Sequence, residues 1–281
     1  MNLNGFIDAL EQRAAASIQL EQGDYIGDDG LLYCGKCHTP KQCRVTILGQ
    51  ERTPHCPCKC KQERKEAEEE ERRKVEIALL AKKLRSEAFP EEEMQRWRFE
   101  NDDRDNEQLS MVMQKYAELF DDIRQAPING LVLFGPTGTG KSFIAACVGN
   151  ELIDRGISVI MTNFDRIRNK VQESFEGRQA YLDKLNSSQL LIIDDLGAES
   201  SSEFMQELVF SVIDSRANSG RPMIVTTNLT AEELKSPADG KKKRVYSRLL
   251  GMCQPVQVTG PDRRRERLKK ESKSIKDLLG L

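Results

Sequence analysis

Residues 135–142 read GPTGTGKS, and no other stretch of the chain constrains its fold as tightly. It fits the pattern G-x-x-x-x-G-K-S/T completely, follows the apolar run 131–134, and opens a helix-forming run, 143–154, that Gly156 ends. A phosphate loop needs that setting. Glycines let successive backbone N–H groups turn inward around the phosphates, and the helix N-terminus adds the positive end of its dipole. Gly135, Pro136, Thr137, Gly138, Thr139, Gly140, Lys141 and Ser142 are therefore the expected nucleotide-binding residues. Lys141 is expected to reach the β- and γ-phosphates, and the Ser142 hydroxyl to ligate Mg²⁺.

The second half of such a site reads LLIIDDLGAE, residues 190–199. Four apolar residues make a buried strand that ends in Asp194 and Asp195. Asp194 is placed to hold the Mg²⁺ shell, and Asp195 to orient and polarise the attacking water. A third run, MIVTTN, ends in Asn228. At the tip of a strand between the acidic and the lysine strands, that amide could hydrogen-bond the γ-phosphate or the water.

GLVLFG, SVIMTN, LLIID, MIVTTN and PVQVTG, all beyond residue 90, are short, rich in Val, Ile and Leu, and alternate with helical stretches. This is the texture of buried parallel strands joined by helices, an α/β class. The ATPase domain is placed at 96–281. Before it, residues 61–95 are highly charged and free of glycine up to Pro90, which predicts a solvated helical linker. Glu68, Glu69 and Glu70 stand four residues before Arg72, Arg73 and Lys74, the favourable order for helical ion pairs. Residues 4–22 predict a short amphipathic helix, with Phe6, Leu10, Ala14 and Ile18 at helical spacing.

Six of the eight cysteines fall between Cys34 and Cys60. The chain has no run of about 18 apolar residues, and its start, MNLNGFIDALEQ, lacks the basic-then-apolar order of a secretory signal. A cytoplasmic setting keeps thiols reduced, so the cluster reads as metal chemistry before disulfides. Cys34-x-x-Cys37 and Cys58-x-Cys60, about twenty residues apart, suit one tetrahedral Zn²⁺. His38, Cys43, His55 and Cys56 remain as alternative ligands. A redox site on the first pair would need a strand–helix setting that is missing here. A segment this short cannot bury a sufficient core, so metal is expected to fold residues 1–60 as a recognition module. The net charge of −2 makes the chain no global nucleic-acid binder, so any such contact needs a local basic patch.

In this order, the phosphate loop, the acidic strand end, the strand-tip Asn, SRL at 247–249 and DRR at 262–264 resemble AAA+ ATPases. Within them the chain is similar to the DnaC-like helicase loaders, a set that includes the ATPase subunits of some transposons. RFEN at 98–101, GNELIDRGISVI after the phosphate loop and RVYSRL carry the same resemblance, which spans about residues 97–268. It implies an AAA+ core with a parallel five-stranded sheet between helices. It further implies a slow ATPase that self-assembles and loads a hexameric replicative helicase onto single-stranded DNA in a bacterial or phage-infected cell. The alternative is an ATPase partner of a transposase that selects duplex target DNA.

By that similarity Arg248 looks like an arginine finger acting on a neighbouring subunit's nucleotide. Arg264 looks like a second sensor acting in cis, with the triple arginine leaving the register open by one residue. RFEN looks like the lead into the adenine pocket. Many AAA+ proteins have Asp-Glu where this chain has Asp-Asp, and the shorter Asp195 implies slow hydrolysis. In such loaders a helical insertion after the second strand contacts DNA. Here Arg166, Arg168 and Lys170 are the matching basic residues, with Phe164, Phe175 and Tyr181 as aromatic neighbours.

Overall fold

The computed structural model describes residues 21–47, 49–89, 91–103, 106–173, 175–237 and 239–265, with positions 268, 269, 272 and 279 beyond them. The chain divides into two units, Met1–Glu76 and Ile77–Leu281. The predicted helix over 4–22 falls outside the described residues except for Glu21 and Gln22, which are not helical.

In the first unit, β1 (Tyr25–Ile26) pairs antiparallel with β2 (Leu32–Tyr33), and β3 (Val45–Ile47) with β4 (Gln50–Arg52). Lys41, only 9% exposed, reaches Asp24 Oδ2 at 2.6 Å and Glu21 Oε2 at 3.2 Å. Lys41 thereby ties the 21–24 segment to the strand-like stretch that follows β2.

Helix α1 (Lys59–Ala88) runs 30 residues, as its lack of glycine and proline allows. Its ion pairs differ from the expected set. Glu70–Lys74 forms at 3.1 Å, but Glu68 and Glu69 turn back to Arg64 and Lys65 at 3.7 and 3.6 Å. Bases four residues to either side compete for the same carboxylates, and each exposed pair is worth only about 0.3–0.5 kcal/mol, so order along the helix does not decide the pairing. Near its C-terminal end α1 is no longer a solvated rod. Ala81, Leu84 and Ala88, followed by Phe89, join the core of the second unit.

The second unit is an α/β sandwich. After α2 (Glu107–Glu118) and α3 (Phe120–Ile123) come β5 (Gly130–Phe134), α4 (Lys141–Asp154), β6 (Val159–Thr162), α5 (Phe164–Glu173) and α6 (Phe175–Ser187). Then follow β7 (Leu190–Leu196), α7 (Glu203–Ser219), β8 (Met223–Thr227), α8 (Ala231–Lys235), α9 (Gly240–Met252) and β9 (Cys253–Gln257). The five long strands form one parallel sheet in the order β6-β7-β8-β5-β9.

Both faces of the central strands are covered, which is why GLVLF, LLII and MIV read as unbroken apolar runs. Alternate residues serve alternate layers. Leu131, Leu133, Leu190, Ile192 and Ile224 pack with α1, α2 and α4. Val132, Leu191, Ile193, Met223 and Val225 pack with α5, α6, α7 and α9. β9 begins directly after α9, two residues before the predicted run, and Gly251 lies within the helix. Pro255 is tolerated there because β9 is an edge strand.

The side chain of Arg216, 0% exposed, locks the layers at the opposite end from the phosphate loop. It donates to the carbonyls of Pro222, Leu185, Asn186, Ser188 and Gln189, tying the end of α6 to the starts of β7 and β8. Burial, the largest cause, pushes its pKa down to about 9, which still leaves it charged at neutral pH.

Candidate functional site

A cleft of about 900 Å³ opens beyond the carboxyl ends of β5, β7 and β8. This is where an open parallel sheet offers a crevice, because the chain leaves β5 for β6 at the far edge and returns to place β8 beside β5. Thr137, Gly138, Gly140, Lys141, Ser142, Asp194, Asp195, Asn228 and Arg264 all line it.

The phosphate loop needs its glycines for two reasons. Gly135 and Gly138 have φ of 149° and 82°, conformations that favour glycine. A Cβ on Gly135 would also meet Val258 O at 2.1 Å, and one on Gly138 would meet Asp262 Oδ1 at 2.1 Å. Chain segment 258–263 thus lies against the loop.

Lys141 is 6% exposed and its ammonium donates to Gly135 O (2.9 Å), Pro136 O (2.7 Å) and Asn228 Oδ1 (2.8 Å). Burial, its largest influence, lowers the Lys141 pKa; Asp195 and Asp194 oppose that shift. The strand tip carrying Asn228 does lie between the acidic and lysine strands.

The acidic pair sits on a feature its sequence did not announce. Between Ile193 and Leu196 the β7–β8 register slips by one residue, a β-bulge, and Asp195 takes φ 54°. Bulges re-aim side chains beside functional sites. Here Thr226 Oγ1 pins the bulge, donating to Asp194 Oδ1 at 2.6 Å and accepting the Asp195 N–H at 2.9 Å. Burial, then the neighbouring Asp194 charge, raises the Asp195 pKa, while Lys141 and Arg264 pull it down.

Trp97, Phe143 and Met94 also line the cleft, none of them evident from the motifs. The Trp97 and Phe143 rings lie 5.6 Å apart, a tilted aromatic pair. Buried Asn150 on α4 fixes that wall. Its Nδ2 donates to Met94 O, Trp97 O and Ala146 O, and its Oδ1 accepts Arg85 Nε at 2.9 Å. RFEN forms a 3₁₀ turn, Phe99–Asn101, with Asn101 in the cleft lining.

Other expected residues stand apart from the cleft. Arg248, on α9, pairs with Asp214 of α7 at 2.9 Å. On α5, Arg166 pairs with Glu91 (3.2 Å), Arg168 with Asp165 (3.3 Å) and Lys170 with Glu173 (2.9 Å). Phe164 is 2% exposed and belongs to the core. Burying such a ring is worth about 1.5–3 kcal/mol, no less than stacking one base, so it stays inside. Tyr181 packs half-buried on the same core, and the Phe175 side chain lies outside the described set.

In the first unit the sulfurs of Cys34, Cys37, Cys58 and Cys60 lie within 4.8 Å of one another. Cys34 and Cys58 each approach Cys60, at 3.6 and 3.4 Å. A tetrahedral zinc with Zn–S bonds of about 2.3 Å has edges of about 3.8 Å, so the four thiols fit one. Three of the alternative donors face other partners. The Cys43 and Cys56 thiols face the Pro54 and Pro40 carbonyls, and His38 Nδ1 meets the Tyr25 hydroxyl at 3.2 Å.

The model of IstB-like ATP binding proteins matches residues 63–274. The replicative helicase loader DnaC of Escherichia coli (strain K12) is 31% identical over 124 residues, 43% of this chain and 49% of that protein. The replicative helicase loader DnaI of Bacillus subtilis (strain 168) is 28% identical over 148 residues, 48% of this chain and 47% of that protein. The chain thus spans about half the length of the curated relatives it matches. A crystal structure of DnaI is similar with a TM-score of 0.53 at 24% identity, over 64% of this chain and 98% of that one, which speaks to the fold alone.

Proposed function

The chain belongs to the family of IstB-like ATP binding proteins, and on that footing we propose that it is an ATP-driven loader of a hexameric replicative helicase onto single-stranded DNA. The observation that carries the nucleotide half is the convergence of Lys141, Asn228, Asp194 and Asp195 in one cleft beside the phosphate loop. The names of the relatives support the loading half.

In this reading ATP enters with its phosphates on the 135–142 loop and its base toward Trp97 and Phe143. Ser142 and Asp194 would hold Mg²⁺, which would neutralise the charge of the β- and γ-phosphates. Asp195 orients the attacking water and takes up its proton. Asn228 exchanges its bond with Lys141 for one to the γ-phosphate or the water. Arg264 acts in cis, while Arg248 is delivered in trans by a second copy.

ATP binding then favours self-assembly and a grip on DNA through Arg166, Arg168 and Lys170, each of which must first leave its carboxylate. The cysteine module holds the helicase, and slow hydrolysis releases the loader. The test is unwinding of a forked duplex by the hexameric helicase on DNA coated with single-strand-binding protein. Unwinding should require this chain with ATP and fail with Lys141→Ala. Equal unwinding without the chain would remove the loading role.

A further inference from the structure

Arg263 and Arg264 are adjacent, yet their surroundings differ. Arg263 Nη1 donates to Asp102 Oδ1 at 3.3 Å, and its Nη2 lies 3.0 Å from Asp103 Oδ1. The Asp102 side chain is 3% exposed and also accepts the Ser110 hydroxyl. A guanidinium between two carboxylates is already compensated in charge, and its planar fork is fixed from two sides.

The backbone around it is tied down as well. The Arg263 N–H donates to Gly138 O at 3.0 Å, the Val258 N–H to Phe134 O at 2.8 Å, and Asn106 Nδ2 to Thr259 O at 3.1 Å. Segment 258–263 is therefore anchored to β5, to the phosphate loop and to Asp102, Asp103 and Asn106. Arg264 has a different situation. Both arginines line the cleft, but among the described residues no carboxylate lies within ion-pair distance of Arg264, and its charge acts on both Lys141 and Asp195.

We propose that Arg263 is a positioning residue: clamped by Asp102 and Asp103, it fixes the 263–265 turn so that Arg264 meets the γ-phosphate end of the cleft. Arg264 then supplies the charge that separates a nucleoside triphosphate from a diphosphate. This rests on the nucleotide site proposed above but not on helicase loading, because the readout is nucleotide affinity of the protein alone.

The experiment is titration calorimetry of the full chain with a non-hydrolysable ATP analogue and with ADP. The variants are Arg263→Ala, Arg263→Lys, Arg264→Ala and the Arg263→Ala/Arg264→Ala double. Arg264→Ala is expected to lose about 10–100-fold in triphosphate affinity with ADP affinity little changed, the range of a charge-assisted hydrogen bond. Arg263→Ala should lose the same preference, the double variant no more than Arg264→Ala, and Arg263→Lys should recover part of it. Asp103→Asn loosens the clamp from its exposed side, so it should give a fraction of the same loss even where Arg263→Ala fails to fold. Multiplying losses in the double variant, or a preference lost with Arg263→Ala but kept with Arg264→Ala, would overturn the positioning role.

Discussion

Lys141 on the phosphate loop donates to Asn228 at the tip of β8, 2.8 Å away. The bond joins two parts of the site that are 87 residues apart in the chain. The ammonium also holds Gly135 O and Pro136 O, so one side chain closes the loop and reaches across the cleft. Removing it should cost more than removing its partner. Lys141→Ala is expected to weaken ATP binding by about 100-fold or more, as the loss of charged hydrogen bonds implies. Asn228→Ala should change affinity by less than about 10-fold yet slow turnover more than that. Calorimetry with ATP and steady-state phosphate release measure the two. Wild-type turnover by Lys141→Ala would refute the site.

Asp195 gives a pH signature. Its pKa is raised above the ordinary 3.8 by burial and by Asp194, so the folded protein keeps this proton where the unfolded chain has lost it. Stability from this group is therefore present below 3.8 and falls as pH rises through the raised value. Asp195→Asn should abolish turnover and raise the Tm at pH 7, with the gain shrinking toward pH 4. An unchanged Tm at both pH values would contradict the electrostatic account.

Much of this architecture is legible in the sequence, for a physical reason. Strands buried on both faces are mostly apolar, and phosphate loops must place glycine where a Cβ would clash, as at Gly135 and Gly138. What is not legible depends on partners far away in the chain. Asn150 looks like any helix residue until its amide meets Met94, Trp97 and Arg85. The bulge at Asp194–Asp195 depends on Thr226, 31 positions away from Asp195. In the sequence Phe164 is only an aromatic neighbour of Arg166 and Arg168, because its burial in the core is a tertiary fact.

Arg216 is a stability prediction independent of nucleotide. Its guanidinium satisfies the carbonyls of five residues in a buried corner. Arg216→Met removes every donor and leaves those acceptors buried. A loss of about 3–5 kcal/mol is expected, the scale of breaking a buried charged network, read from the urea midpoint. A loss below about 1 kcal/mol would show that water or rearrangement satisfies those carbonyls.

The cysteine module predicts a stoichiometry. The intact chain should carry one Zn²⁺, released by chelators together with the order of the first unit. Cys34→Ser should lose the metal and Cys43→Ser should keep it, because the Cys43 thiol faces the Pro54 carbonyl instead of the cluster. Metal analysis of purified variants decides this, and retention by Cys34→Ser would mean that another donor completes the site.

The loading role is tested most directly by native mass spectrometry of this chain mixed with a hexameric replicative helicase, in ATP and then in ADP. The account predicts a stable complex in ATP that weakens in ADP and is lost when residues 1–60 are removed. No complex in either nucleotide, with ATP-dependent filaments on duplex DNA instead, would contradict it and point to a transposase's ATPase partner.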